Sequence, residues 1–309
     1  MAAASAVVFG YHNVGVRCLS VLLAHGVKVP LVVTHQDDPR ENIWFGSMRR
    51  LAELNRIPVA VPENPNAPEF VERIAALKPD FLFSFYFRFM LKEALLRIPP
   101  RGAFNMHGSL LPKFRGRVPV NWAIIHGERE TGASLHYMEV KADAGDLVDQ
   151  QAVPILPDDT AIEVFNKVTF AAELMLDRSL PALIAGNAPR RPLDLKVGSY
   201  FGRRVPEDGR IDWRQSAQAV HNLVRAVAPP YPGAFSTADG RPLRILRSHY
   251  AGDSARHPRP VLYLEDGRCQ ADCGDGRRIE VVVLELDGVA MDAAHLAEHY
   301  GNQPLSLGD

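Results

Sequence analysis

Over roughly its first ninety residues the chain alternates short apolar, β-branched runs with amphipathic stretches, the pattern of β-α-β units that build a mostly parallel sheet. The pattern predicts strands at Ala6–Phe9, Val27–Val33, Pro58–Val61 and Phe81–Phe85. Between them it predicts helices at Val14–His25, Ser47–Asn55 and Pro68–Leu77, and a polar loop from His35 to Asn42. A strand at Ala103–His107 continues the sheet, followed by a helix near Val120–His126 and strands near Ser134–Met138 and Leu147–Pro154. Thr160–Ile184 reads as a long helix, because Thr160 followed by Glu163 forms a capping box that satisfies free N–H groups of the first turn.

Periodicity lapses from Gly186 to Pro206 into the Pro- and Arg-rich run NAPRRPLDLKVGSYFGRRVP. Such a stretch reads as a connection. The expected organisation is therefore a catalytic domain over 1–190, a linker over 191–206 and a second domain over 207–309. After a helix at Ser216–Val227 the second domain shows short strands punctuated by PYPG, ADG and EDG, the spacing of a small β-barrel or open sheet. The fold class is α/β, with a smaller β domain appended, and 309 residues exceed what one core usually fills.

Composition narrows the function more than the fold. A formal net charge of −1 leaves no electrostatic surplus for a polyanion, which argues against general nucleic-acid or anionic-membrane binding. The N-terminal MAAASAVVFGY lacks a charged leader region, and no apolar run approaches the roughly 18 residues that a membrane span needs. Three cysteines, Cys18, Cys269 and Cys273, make an odd set better suited to a reducing compartment than to a disulfide framework, so the expected address is the cytoplasm. The Cys269/Cys273 pair has no second Cys/His pair at zinc-finger spacing, and no metal is expected.

Chemistry concentrates between Phe104 and Asp146. The opening FGYHNVG sits at a strand-to-helix turn, but Gly10 and Gly15 do not make the G-x-G-x-x-G fingerprint, so it reads as a tight turn or as a helix N-terminus that meets a substrate phosphate. If Ala103–His107 ends a parallel strand, its period of two points Asn105 and His107 to one side, facing the crevice where open α/β sheets bind ligands. Gly108 and Pro112 then turn the chain away, and Asp143 in its Gly-rich loop is a carboxylate able to orient an imidazole. Taken singly, Asn105 and His107 read as a hydrogen-bonded turn and Asp143 as a turn former; taken together they are groups that acyl transfer to an amine can use. An amide N–H meets the developing oxyanion, an imidazole moves the proton, and a carboxylate fixes the ring. The other histidines, His12, His126, His136 and His221, are expected to be hydrogen-bonded without a chemical role.

The run Asn105-Met-His-Gly-Ser-Leu-Leu-Pro, with Arg115-Gly-Arg117, Glu130-Thr-Gly132 and Asp143-Ala-Gly145, resembles the folate-dependent formyltransferase family. Within it the chain is similar nearly end to end to the formyltransferase part of the bifunctional aminoarabinose (polymyxin-resistance) enzymes. The likeness runs through VVTHQDDP, FSFYFRFML, FNMHGSLLPKFRGRVPVNW, ETGASLH, FGRRVPEDGRIDW and RAVAPPYPGAF. This resemblance implies a Rossmann-like catalytic domain with an OB-like barrel and the catalytic set Asn105, His107 and Asp143. It implies that 10-formyltetrahydrofolate contacts Phe89, Met90, Leu91, Arg117 and the loop of Glu139, Val140, Lys141, Ala142 and Asp143. The implied acceptor is UDP-4-amino-4-deoxy-L-arabinose, whose formylation belongs to lipid A (lipopolysaccharide) modification. The bifunctional enzymes continue into a decarboxylase domain whereas this chain stops at Asp309, so the expectation is a separate companion decarboxylase or a different sugar.

The family also contains methionyl-tRNA formyltransferases, the alternative acceptor class, and formyltetrahydrofolate hydrolases; a non-catalytic binding module is a further reading. Transfer-RNA enzymes carry a longer basic loop after the second strand. Here that segment is HQDDPRENIWFGS, short, acidic and aromatic, which would repel a polyanion. A nucleotide sugar needs only a few cations near its pyrophosphate, and Arg203 and Arg204 are the candidates. Oligomeric state is not legible from the sequence.

Overall fold

The computed structural model describes residues 4–308; Met1–Ala3 and Asp309, the outer ends of the two expected domains, lie outside the described residues. In chain order the elements begin β1 (Ser5–Gly10), α1 (His12–Ala24), β2 (Lys28–Val33), α2 (Met48–Leu54), β3 (Val59–Ala60), α3 (Pro68–Ala76), β4 (Phe81–Phe85) and α4 (Glu93–Leu96). They continue with β5 (Ala103–His107), β6 (Arg115–Gly116), α5 (Pro119–Ile125), β7 (Glu130–Tyr137), β8 (Leu147–Pro154), α6 (Ala161–Ala185) and β9 (Tyr200–Phe201). Last come α7 (Ala217–Val227), β10 (Ala234–Ala238), β11 (Arg241–His249), β12 (Val261–Glu265), β13 (Arg268–Asp272), β14 (Arg278–Leu286), β15 (Val289–Met291), α8 (Ala293–Tyr300) and β16 (Leu305–Gly308).

Two compact units divide the chain. The first takes the residues up to Pro119, Thr131–Val153 and Asn166–Gly202; the second takes Val120–Glu130, Pro154–Phe165 and the residues from Arg203 onward. The division falls inside α6, at a place the hydrophobic pattern cannot mark because the helix continues through it.

The first unit is built on a sheet of order β3-β2-β1-β4-β5-β7-β8. Strands β3, β2, β1, β4 and β5 pair in parallel, and β7 runs antiparallel to β5. Helices cover a parallel sheet on both faces, so its central strands carry unbroken apolar runs. Val7, Val8 and Phe9 of β1 and Phe83 and Phe85 of β4 are all 0% exposed, which is that pattern. Phe83 stacks on Phe104 of β5 at 5.6 Å between centroids, and each such buried ring contributes roughly 1.5–3 kcal/mol. The chain builds outward from β1 to β3, then returns to the other side of β1 as β4. The crevice beyond the carboxyl ends of β1 and β4 is thus the topological switch point, where such sheets take their ligands.

The second unit holds a closed antiparallel ring. Strands β11, β10, β16, β12, β13 and β14 follow one another, β11 pairs back onto β14, and β15 extends from β14. Closure leaves the ring no open edge. Its core contains Trp213, Val220, Val224, Leu243, Ile245, Leu262, Ile279, Leu284 and Leu286, with α7 supplying the apolar side that covers it. The Trp213 indole N–H donates to Ser236 Oγ at 2.7 Å, which satisfies the one polar atom that this ring buries.

Two local features depart from the sequence pattern. Strand β7 starts at Glu130 rather than near Ser134, because pairing within the sheet extends a Thr-Gly-Ala segment of weak strand propensity. The Pro- and Arg-rich stretch has structure of its own: Arg191 exchanges backbone hydrogen bonds with Leu147, and β9 pairs in parallel with β6.

Candidate active site

Asn105 and His107 leave β5 on one side of the strand, as their spacing requires. Opposite them on β7 the register sets Asn105 against His136 and His107 against Ser134. Directly opposed residues of an antiparallel pair share a face. A polar quartet therefore occupies one patch of an otherwise apolar sheet, with His107 6%, Ser134 0% and His136 2% exposed.

The turn after β5 is tied down from three sides. Ser134 Oγ donates to Ser109 O at 2.6 Å and accepts the Leu111 N–H at 3.1 Å, while Gln150 Nε2 donates to Leu111 O at 2.7 Å. Ser109 Oγ donates to Lys113 O at 2.6 Å. This bracing delivers the Phe114 carbonyl to the His107 ring, which donates from Nε2 at 2.8 Å. A Cβ on Gly108 would stand 1.9 Å from the Tyr86 hydroxyl, so glycine is what lets Tyr86 lie against the residue that follows His107.

Asp143 arrives from the loop between β7 and β8. Its φ of 49° lies in the left-handed region, which costs a residue with a Cβ about 1–3 kcal/mol and is tolerated where surroundings over-determine it. Here they do: Tyr137 N–H donates to Asp146 O at 2.9 Å, and a Cβ on Gly145 would meet Tyr137 O at 2.1 Å, so the loop packs backbone to backbone. Asp143 Oδ2 accepts the Gly116 N–H at 2.9 Å from β6. Its Oδ1 lies 3.5 Å from His107 Nδ1, 3.6 Å from His136 Nε2 and 3.4 Å from Asn105 Nδ2. Burial pushes the Asp143 carboxyl up, but His107, then His136 and the Gly116 N–H, pull harder and hold it well below the usual carboxylate range.

Asn105, His107 and Asp143, singled out from separate stretches of sequence, thus converge within one cluster. The Asn105 amide, expected to meet a developing oxyanion, has neighbours of its own in this cluster. Its Nδ2 lies 3.1 Å from His136 Nε2 as well as near Asp143. His136, expected to have no part here, is the member that the sequence reading passed over. Its Nδ1 donates to Tyr137 O at 2.8 Å, which turns Nε2 towards both the Asn105 amide and Asp143 Oδ1. The alternation of Ser134 and His136 in ETGASLHY was the available signal, because two polar residues at period two mark a single strand face.

The remaining expected site residues fall on two loops and a ribbon. Phe89 and Met90 are 43% and 53% exposed, and Leu91 is buried. Val140 is 63% exposed on the loop that leads to Asp143, beside exposed Glu139 and Lys141 and half-buried Ala142. Arg117 is exposed, and its N–H donates to Phe201 O at 3.0 Å. Arg203 and Arg204 belong to the second unit; Arg203 is exposed, whereas the Arg204 guanidinium lies 4.8 Å from the centre of the Trp122 ring and donates to Asp208 O at 2.6 Å. No group of three or more metal-ligating side chains occurs among the described residues, and no described helix is long and apolar enough to cross a membrane.

Beyond β1, β2 and β4 an aromatic wall adjoins the cluster. His12 stacks on Phe45 at 3.9 Å and meets Trp44 edge-on at 4.5 Å, and burial followed by Arg88 holds its pKa down at about 3. Tyr11 donates to Asp37 at 2.7 Å beneath Arg88, which makes a two-pronged pair with Glu41 at 2.7 Å. The acidic loop after β2 thus spends much of its charge on partners of its own.

Residues 16–180 match the family described as "Formyl transferase", and residues 204–301 match "Formyl transferase, C-terminal domain". Among solved structures, the N-formyltransferase from Helicobacter canadensis, in complex with folinic acid and dTDP-3-aminofucose, superposes with a TM-score of 0.73 at 22% identity, covering 90% of this chain and 98% of that one. WlaRD, a sugar 3N-formyltransferase studied with dTDP and 5-N-formyl-THF, gives 0.71 at 21% identity, covering 91% and 97%. HypX from Aquifex aeolicus, in complex with tetrahydrofolic acid, gives 0.61 at 18% identity, covering 94% of this chain and 46% of that one. At such identities the likeness is one of fold.

Proposed function

Because the chain belongs to the formyl transferase family, we propose that it moves a formyl group from 10-formyltetrahydrofolate to the amine of a nucleotide-linked amino sugar. The observation that carries this reading is the convergence of Asn105, His107 and Asp143 in one half-buried cluster at the ends of β5 and β7. The sugar amine, as the free base, attacks the formyl carbon and a C–N bond forms. The tetrahedral intermediate places an oxyanion against Asn105, whose long contact to Asp143 is exchanged for a bond to that oxygen. His107, anchored through Nε2 to Phe114 O, exchanges the proton at Nδ1. The amine proton passes by way of His107 to the departing N10 of tetrahydrofolate as the old C–N bond breaks. Asp143 holds the ring in place and favours its cationic form during transfer.

Phe89, Met90 and Val140 are large apolar side chains left exposed on two loops of the first unit, which suits a flat, partly apolar ligand such as a pterin. Folinic acid and tetrahydrofolic acid in the structures of similar fold point to the same donor. The specific acceptor we propose is UDP-4-amino-4-deoxy-L-arabinose, on the strength of the sequence resemblance, which would place the reaction in lipid A modification. The loop after β2 is short and offers no cluster of basic residues for a polyanion, which supports a small acceptor over transfer RNA. Three thiols that are buried and unpaired suit the reducing cytoplasm.

The test is to incubate the protein with 10-formyltetrahydrofolate and a panel of amino-sugar nucleotides, and to look for a mass gain of one formyl group. Formylation of initiator methionyl-tRNA with steep salt dependence, or formate release without any amine, would replace this reading. Replacing Arg203 and Arg204 together is expected to raise KM for the nucleotide sugar; an unchanged KM removes them from the site.

A further inference from the structure

The segment expected to meet the folate, Phe89–Leu91, belongs to neither helix nor strand, yet its backbone is held at both ends by side chains from other loops. Asn66, in the loop between β3 and α3, donates from Nδ2 to Met90 O at 2.9 Å and accepts the Lys92 N–H at Oδ1 at 2.7 Å. A carboxamide that takes a carbonyl and an N–H two residues apart does the work of a neighbouring strand, fixing the direction of the peptide between them. At the other end His35 Nε2 accepts the Arg88 N–H at 3.0 Å, and its ring stacks on Phe87 at 4.2 Å. The Asn66 loop is itself ordered locally, since Asn64 Oδ1 accepts the Asn66 N–H at 3.0 Å. Leu91 anchors the segment in the core next to Ala67 and Phe87, whereas Phe89 and Met90 remain outside it. Burial therefore holds only Leu91, the Phe89 ring meets those of His35 and Phe87, and the hydrogen bonds of Asn66 set the backbone from Met90 to Lys92.

We propose that Asn66 is a positioning residue for the folate, acting through the backbone of Phe89–Leu91 and touching neither the reacting carbon nor the acceptor. The inference rests on the donor reading given under Proposed function. Asn66→Ala is expected to weaken binding of folinic acid and raise KM for 10-formyltetrahydrofolate by about tenfold, the size of two neutral hydrogen bonds. Its kcat and the KM for the amino-sugar nucleotide are expected to stay within about twofold of wild type. Asn66→Asp preserves shape and the acceptor for Lys92 but sets a carboxylate oxygen against the Met90 carbonyl; it is expected to bind folinic acid at least as weakly as the alanine variant. Asn64→Ala, which leaves both clamping bonds available, is expected to bind nearly as wild type.

Folinic acid is titrated against each variant with a thermal melt alongside, and steady-state kinetics follow. Wild-type affinity in Asn66→Asp overturns the proposal, as does a loss in Asn66→Ala shared equally between the two substrates. Should Asn66→Ala fail to fold, the isosteric Asp variant decides alone. If wild-type protein does not bind folinic acid at all, the donor reading fails first and takes this inference with it; if wild type binds and both Asn66 variants bind equally well, only the clamp is wrong.

Discussion

Two aspartates with histidine partners, Asp272 fully buried and Asp143 partly so, occupy the two units, and their hydrogen bonds differ in kind. Asp272 in the barrel is 0% exposed, with every contact of ordinary length. Its Oδ2 accepts the N–H groups of Arg256 at 3.1 Å and His257 at 2.8 Å and the His257 ring at 2.8 Å, and its Oδ1 accepts the Tyr263 hydroxyl at 3.1 Å. Asp143 has one such bond, from Gly116 to Oδ2. Its Oδ1 is ringed by three nitrogens at 3.4–3.6 Å, none at optimal distance. A carboxylate with both oxygens held by bonds of ordinary length pins a loop; one that keeps an oxygen loosely held among titratable rings can exchange partners as charge develops. Strain separates them as well, for only Asp143 has a positive φ. Residue type is the same in both places, and the supply of donors decides which is structural.

Substitutions on the two sides should part company accordingly. His107→Ala is expected to lower kcat of the folded fraction by at least about two orders of magnitude; near-native turnover would put Asp143 and His107 in the structural class with Asp272. Asp272→Ala strands the Tyr263 hydroxyl, the His257 ring and two backbone N–H groups, and is expected to cost about 2–3 kcal/mol in urea unfolding with kcat of the folded fraction unchanged. A loss of turnover without loss of stability would mean that the barrel site takes part in the reaction. His136→Ala frees the Asn105 amide from its neighbour and is expected to reduce kcat about tenfold, the cost of one misoriented hydrogen bond; an unaffected rate would return His136 to a packing role.

The smallest effect is confined to acid pH. The native pKa of Asp143 is depressed, so its ionised form stabilises the fold fully above the ordinary carboxylate value, and that stabilisation is lost as pH falls towards the native pKa. The stability difference between wild type and Asp143→Asn should therefore be constant from about pH 5 to 8 and shrink below about pH 4. A difference that grew on acidification would reverse the assignment of charge at this site.

Much of the site could be read before the fold was known. Asn105 and His107 are two apart in a strand-like run that ends in Gly-Ser-Leu-Leu-Pro, and period two is enough to put them on one face. Asp143 was legible through its Gly-rich loop and the family resemblance. His136 was not, since its importance comes from facing Asn105 across an antiparallel pair whose register lies in no local pattern. The Gly116 N–H was equally hidden, because a backbone donor leaves no mark in residue type. Asn66 was not singled out from the sequence; its reach to Met90 and Lys92 depends on two loops that are neighbours only in space.

The amino-acid sequence by itself determined the alternation of strands and helices, the change to a β-rich second half, and the amide, imidazole and carboxylate available for chemistry, because these follow from periodicity and residue type. Tertiary structure alone decided which strands lie side by side, which aspartate is left with a loosely held oxygen, and where a chain division passes through the first turns of a helix. Those outcomes depend on contacts between residues far apart in sequence, and the strength of a hydrogen bond is set by the geometry of both partners.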